Sequence, residues 1–243
     1  MILAVTRLSC RGILPTVTLM NLLFLHRPSI AFIAAVLLLL IAFVPPYGVI
    51  IGWVFLLAAL FICIRRGSFA EIGFGRPASW RRTLLLGIAI GVLAQFVFVL
   101  LIDPLLARWT GTPVDLSSLD AMRGNVPVFL MMLAIGWVLG GFLEEMLFRG
   151  YLLKRIQYVI GDRGWASAAA LLLTSIAFGM AHGYQDTSGM ISTGLMALLL
   201  GALFIRSQGN LWLPILVHGV SNTIGLTLIF IDKDKLLGQL IFS

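Results

Sequence analysis

The stretch VFLMMLAIGWVLGGFLEEMLF, Val128 to Phe148, decides how the chain is read. No charge interrupts it before Glu144, and it is about as long as one crossing of a hydrocarbon layer, roughly 20 residues. A bilayer offers nothing to an unpaired backbone N–H or C=O, so a run of this kind has to be a helix among other helices. The remainder of the chain has the same character. Of 243 residues, 60% are apolar and 11% charged, and the mean hydropathy is +1.06. Soluble domains run about 45–50% apolar and about 25% charged. A water-soluble enzyme, a nucleic-acid-binding domain and a secreted disulfide scaffold are excluded. The net charge of +7 reads as Lys and Arg held on the cytoplasmic side of a membrane. Cys10 and Cys63 make neither a disulfide framework nor a metal-ligand pair.

Working outward, the sequence predicts an all-α polytopic bundle of about seven spans. These are Ser29–Val44, Tyr47–Ile64, Thr83–Ala107, Val128–Phe148, Trp165–Gly183, Met190–Ile205 and Leu211–Ile231. Turn signals separate them at Pro45-Pro46, Gly73 to Pro77, Gly111 to Pro113, Gly161 to Gly164, Gly189 and Gly209-Asn210. Residues 1–28 read as an uncleaved cytoplasmic or interfacial leader, because no small-x-small site follows the apolar run from Ile13 to Leu25. Residues 29–243 read as one membrane domain with its catalytic core at about 128–231. The loop from Arg65 to Arg82 and the connection around Lys154, Arg155 and Arg163 are basic, whereas the alternate connections are not. Seven crossings with the N-terminus in the cytoplasm, in the plasma membrane of a prokaryote, are therefore expected. Gly87-x-x-x-Gly91 and Gly136-x-x-x-Gly140 are small-residue faces suited to close helix packing.

The chain has three glutamates and three histidines, and most of them lie in apolar helices. Ionisable groups at membrane depth cost at least about 2.5–3.5 kcal/mol each, so they are functional or tightly paired. At about 100° per residue, Glu145 and Arg149 are neighbours on one helix face and neutralise each other. Glu144 is rotated off that face and has no basic residue at i+3 or i+4, which leaves it free to take or give a proton. His218 and Asn222 share one stripe of the last span, and Phe178 and His182 repeat that spacing one motif earlier. Counted from the turn at Asp162-Arg163, Glu144 lies 18 residues before it and His182 19 after it. An antiparallel hairpin then sets the two at nearly equal height. The hairpin requires the fourth helix to run on through about Ile160 and Tyr184–Gly189 to line a polar cavity. It conflicts with the simple span boundaries, and it is the preferred reading.

No HExxH pair is present and no GxSxG elbow; only Asp103, just before Pro104, approaches an intramembrane aspartyl arrangement. What remains is Glu144, His182, His218 and Asn222. Glu144-Glu145-Met-Leu-Phe-Arg149, Phe178-Gly-Met-Ala-His182 and His218-Gly-Val-Ser-Asn222 resemble the EExxxR, FxxxH and HxxxN/D motifs of the CPBP family of intramembrane proteases. That family includes type II CAAX prenyl endopeptidases and bacteriocin-processing relatives. The resemblance covers about Val128 to Ile231. It implies hydrolysis of a peptide bond in a membrane-embedded or lipidated peptide or protein. Glu144 and His182 would activate a water, and His218 and Asn222 would donate to the oxyanion. Glu145 and Arg149 would fix the helix and orient the site. It also leaves a metalloprotease open, with Glu144, His182 and His218 as a set able to hold Zn²⁺. A metal-free glutamate mechanism is slightly preferred, since Asn222 is a poor zinc ligand.

The expected partners are membrane lipid and a membrane-associated peptide or protein, with no nucleic acid. Other readings stand beside this one. A non-catalytic membrane scaffold or immunity protein would keep the same fold and motifs. A rhomboid-like enzyme would use Ser221 with His182 as base, leaving Glu144 and Glu145 without a role. A small transporter would use Glu144 as a proton site. Phe178 is most simply packing, and Trp53, Trp80, Trp109, Trp165 and Trp212 fit an aromatic belt.

Overall fold

The computed structural model describes residues 69–70, 72–160 and 164–234. The leader, the spans expected at Ser29–Val44 and Tyr47–Ile64, and Trp53 lie outside the described residues. The remainder is helical, an all-α membrane bundle. Helix α1 (Trp80–Val97) continues through a π-helical turn (Phe98–Ile102) into α2 (Asp103–Thr110). Helix α3 (Val126–Ile135) runs through π-helical segments (Gly136–Glu144 and Met146–Leu153) into α4 (Lys154–Ile160). Helices α5 (Gly164–Ala181), α6 (Asp186–Arg206) and α7 (Trp212–Phe230) complete it. Among the described residues, four helical stretches are long and apolar enough to cross a membrane: Trp80–Thr110, Val126–Gln157, Gly183–Arg206 and Trp212–Phe230. A shorter apolar helix is Trp165–Ala181.

Local chemistry sets the ends. Ser79 caps α1 by accepting from the N–H of Arg82 at 3.3 Å, and Asn125 caps α3 by accepting from Val128. Gly111, at φ 78°, closes α2 in the left-handed region open to glycine. The π-helical turn before α2 has a visible cause. Pro104 has no N–H to give and its ring crowds the carbonyl a turn earlier, so the Asp103 N–H reaches back to Phe98 instead.

The hairpin expectation holds: the fourth helix continues to Ile160, well past Arg149. Two details of the sequence reading are corrected. Gly189 does not break the chain; it lies in the first turn of α6, where a Cβ would meet Gln185 Cβ at 2.2 Å. The break comes earlier, at a short 3₁₀ turn (Gly183–Gln185), and Asp186 at φ 64° redirects the backbone. The rotation of 100° per residue also does not describe Gly136–Leu153, which is wound more widely.

Helix α7 is the central post. Gly87 and Gly91 let α1 come down on it, since Cβ atoms there would meet Leu216 Cβ at 2.5 Å and Val220 Cβ at 2.8 Å. Gly141 does the same from the other side against Gly219. The face at Gly87 and Gly91 thus packs as expected, and in the second face a Cβ on Gly136 would meet Leu226 Cδ1 at 3.3 Å. Two buried clusters hold the interior, one around Leu143, Met146, Leu153, Phe204 and Ile215, the other around Phe148, Leu152, Phe178 and Ala197. The outward faces are apolar and exposed, as at Leu85 and Leu93 on α1 and Leu130 on α3, which suits contact with lipid chains. Trp80, Trp109, Trp165 and Trp212 all stand at or next to helix ends.

Candidate active site

Glu144 and Glu145 are adjacent but point to different places. Glu145 is fully buried, and its Oε1 accepts from Nη1 of Arg149 at 2.8 Å. The same oxygen receives Nδ1 of His218, from α7, at 2.8 Å. Arg149 places its other nitrogen on the carbonyl of Ala197 in α6 at 3.0 Å and its guanidinium 5.0 Å from the centre of the Phe178 ring. One buried ion pair thereby ties together the helical stretch from α3 to α4 with α5, α6 and α7. Glu144 takes no part in it. It has no hydrogen-bond or ion-pair partner among the described residues and lines a cavity of about 1170 Å³.

That cavity is also lined by His182, His218 and Asn222. All four candidate catalytic residues, from three separate motifs, therefore meet one space, while Glu145 and Arg149 stand behind it. The ion pair expected between Glu145 and Arg149 is present. Tyr184, Gln185 and Asp186 line the same cavity, as the hairpin required.

The hydrogen bonds fix which ring atoms are available. Nδ1 of His182 lies 2.8 Å from the carbonyl of Phe178. A carbonyl only accepts, so Nδ1 carries the proton and Nε2 of the neutral ring keeps its lone pair. Nδ1 of His218 donates to the carboxylate of Glu145 in the same manner, leaving its Nε2 as the second available nitrogen. Asn222 donates from Nδ2 to the carbonyl of Gly136 at 3.0 Å. An amide nitrogen has two hydrogens, so one donor remains.

Phe178 does more than pack. Its ring centre is 4.6 Å from that of His182 and 6.2 Å from that of His218, and Phe148 meets it edge-on at 4.8 Å. It is a wedge that sets where both imidazoles sit. Gly140 was not legible as a site residue. A Cβ there would come within 2.6 Å of Nδ2 of Asn222 and 3.7 Å of Nε2 of His218. The missing side chain is what makes room for the Asn222 amide. The signal in the sequence was the Gly136-x-x-x-Gly140 face, which reads as helix packing alone.

Ser221 donates to Oε1 of Gln95 on α1 at 2.5 Å, so its hydroxyl proton is turned to an amide rather than an imidazole. Among the described residues no three His, Cys, Asp or Glu side chains are grouped so as to hold a metal ion.

The comparisons agree with the motifs. Residues 126–224 match the family model described as Type II CAAX prenyl endopeptidase Rce1-like. Over 127 residues, 50% of the chain, the sequence is 33% identical to an uncharacterized 24.3 kDa protein of Escherichia coli, 55% of which is covered. Over 157 residues, 64% of the chain, it is 28% identical to the UPF0177 protein YvdC of Lactococcus lactis subsp. lactis (strain IL1403), 57% of which is covered. The chain therefore spans little more than half the length of these relatives. No solved structure matches.

Proposed function

We propose that this chain is an intramembrane endopeptidase that hydrolyses a peptide bond of a membrane-embedded or lipidated peptide, a reading supported by the match of residues 126–224 to the Rce1-like family model. The observation that carries the proposal is the convergence of Glu144, His182, His218 and Asn222 on one cavity inside an apolar bundle.

In this reading Glu144 is the general base. It is the carboxylate that no hydrogen bond or ion pair holds among the described residues, and it takes a proton from a water in the cavity as the water oxygen bonds to the scissile carbonyl carbon. Nε2 of His182 holds the same water by its lone pair. The oxyanion that forms receives the spare N–H of Asn222 and Nε2–H of His218. A ring donating from both nitrogens is an imidazolium, and Glu145 supplies the facing negative charge. Each such donor is worth about 2.7–4 kcal/mol in the transition state. The C–N bond then breaks, and the proton taken from water passes to the leaving amine. Products are a carboxylic acid and an amine, with one water consumed. Every group used belongs to the chain, and no step is routed through zinc.

The protein would sit in a membrane with its N-terminal end in the cytoplasm, an orientation that the loop charges favour. The test is cleavage of a membrane-anchored peptide by the purified protein in liposomes, with the Glu144→Gln variant alongside. Hydrolysis by the parent and none by the variant is expected. Equal product from both would overturn the reading and leave a membrane scaffold that acts by binding.

A further inference from the structure

Asp103 is an ionisable residue inside a membrane-spanning helix that the proposed hydrolysis does not use. It stands just before Pro104, where the helix is widened, and it lines the same cavity as Glu144, His182, His218 and Asn222. Its Oδ1 accepts from the hydroxyl of Ser192 on α6 at 2.5 Å. Its second oxygen receives no hydrogen bond among the described residues. A carboxylate at this depth is costly unless something uses it, and one serine hydroxyl does not balance its charge.

The distribution of charge around the cavity points to what does. The chain is basic, with 17 Lys and Arg against 10 Asp and Glu. Among the described residues, six of those ten acids line this one cavity (Asp103, Asp115, Asp120, Glu144, Asp186 and Asp234), with Arg108 and Arg123 as the described basic residues. Arg123 is itself committed to Asp120, Asp232 and Asp234 at 2.7–2.9 Å. Asp115 is kept ionised, since the backbone N–H of Ser117 hydrogen-bonds to it and holds its carboxyl below the usual range. Among the described residues the cavity lining therefore holds more acids than bases, the reverse of the chain as a whole, and it includes Glu144.

We propose that Asp103 is a cation-recognition subsite, holding an ammonium or guanidinium group of the bound peptide within the cavity that contains the candidate catalytic residues. The proposal rests on the hydrolase reading for its substrate, but its recognition step is separable from cleavage. Ser192 positions the carboxylate and leaves its other oxygen for the ligand. A charged hydrogen bond of this kind is worth about 1.5–3 kcal/mol, which corresponds to at least about tenfold in affinity.

The experiment measures equilibrium binding of fluorescent, membrane-anchored apolar peptides to the full chain in liposomes, in the Glu144→Gln background so that none is consumed. The peptides carry a single Lys with a blocked N-terminus, a free N-terminus without Lys, a single Gln with a blocked N-terminus, or a single Glu with a blocked N-terminus. The expected result is that one or both cationic peptides bind at least about tenfold more tightly than the Gln and Glu peptides, and the pair identifies which kind of cation is read. Asp103→Asn should bring the difference to within about twofold, Asp103→Glu should restore most of it, and Ser192→Ala, which removes the hydroxyl that positions the carboxylate, should reduce it less than Asp103→Asn does. Cleavage is scored separately in the parent. Cation selectivity without cleavage would sink the hydrolase and leave the subsite standing. Equal binding of all peptides, or selectivity that survives Asp103→Asn, overturns the subsite.

Discussion

Oε1 of Glu145 and Nδ1 of His218 meet at 2.8 Å between two membrane helices, and that one oxygen also takes Arg149 at 2.8 Å. The second glutamate of the pair is therefore the support of the last helix's histidine as well as the partner of Arg149. Its other oxygen, Oε2, is buried with no hydrogen-bond partner among the described residues, so the group is held from one side only. Breaking it should be felt in stability and activity together. Glu145→Ala leaves Arg149 uncompensated at 3% exposure, and removing one member of a buried pair costs about 3–5 kcal/mol. A marked fall in Tm is expected. The double variant Glu145→Leu with Arg149→Met should recover most of the Tm, because an apolar pair replaces the ionic one, while cleavage stays absent because His218 has lost its orienting acceptor. Recovery of cleavage in that variant would count against the support role.

Glu144 should behave differently from its neighbour. Glu144→Gln keeps the shape of a group that makes no described hydrogen bond, so Tm should move by no more than about 0.5 kcal/mol equivalent. Hydrolysis should fall by about 10²–10⁴-fold. His182→Ala should show a comparable loss. Ser221→Ala should retain activity, since its hydroxyl is given to Gln95; loss of turnover with an intact fold in that variant would revive a serine mechanism.

A glycine offers a finer probe. Gly140→Ala places a methyl within 2.6 Å of Nδ2 of Asn222 and should push that amide away from the cavity. Loss of one oxyanion donor predicts a drop in kcat of about 10²–10³-fold with the bundle still folded. Gly91→Ala is the contrasting control. There a Cβ meets Val220 Cβ at 2.8 Å and the backbone oxygen of Val217 at 2.9 Å, so helix packing and Tm should suffer first. Kinetics and thermal unfolding of the two variants side by side check this.

Arg123 ties the 3₁₀ turn (Ser117–Met122) to the end of α7 through Asp120, Asp232 and Asp234. It is partly exposed, so screening limits the value of the cluster to about 1 kcal/mol. Arg123→Ala should lower Tm modestly, and molar salt should remove most of the difference between parent and variant. A large, salt-independent loss would mean the turn is held by packing instead.

A metal-free route predicts that purified, active protein contains no stoichiometric zinc by elemental analysis and keeps its rate in the presence of strong chelators. Activity that is lost to chelator and restored by added zinc would overturn that route and return Glu144, His182 and His218 to the role of ligands.

Much of the site was legible because membrane chemistry makes charge conspicuous. In a chain with so few ionisable residues, Glu144, Glu145, His182 and His218 stand out before any geometry is known, and the i, i+4 spacing of Glu145 and Arg149 is enough to pair them. The count from Asp162-Arg163 set Glu144 near His182 because an antiparallel hairpin converts sequence distance into height, and both residues line one cavity. Phe178, by contrast, looked like packing, and Gly140 like a seam. Neither carries a charge, and their part in the site is one of shape, which no spacing rule displays.

What the amino-acid order determined alone was the class of fold and the list of reactive groups, since both follow from local properties: hydropathy over a span, and the cost of an ionisable side chain in lipid. Only tertiary structure decided that Glu145 reaches His218, that Asn222 leans on the carbonyl of Gly136, and that Asp103 joins the same cavity. Those relations depend on how closely helices far apart in the chain approach one another. The wider winding of Gly136–Leu153 and the bare backbone of its glycines set that approach, and neither can be read from a rotation of 100° per residue.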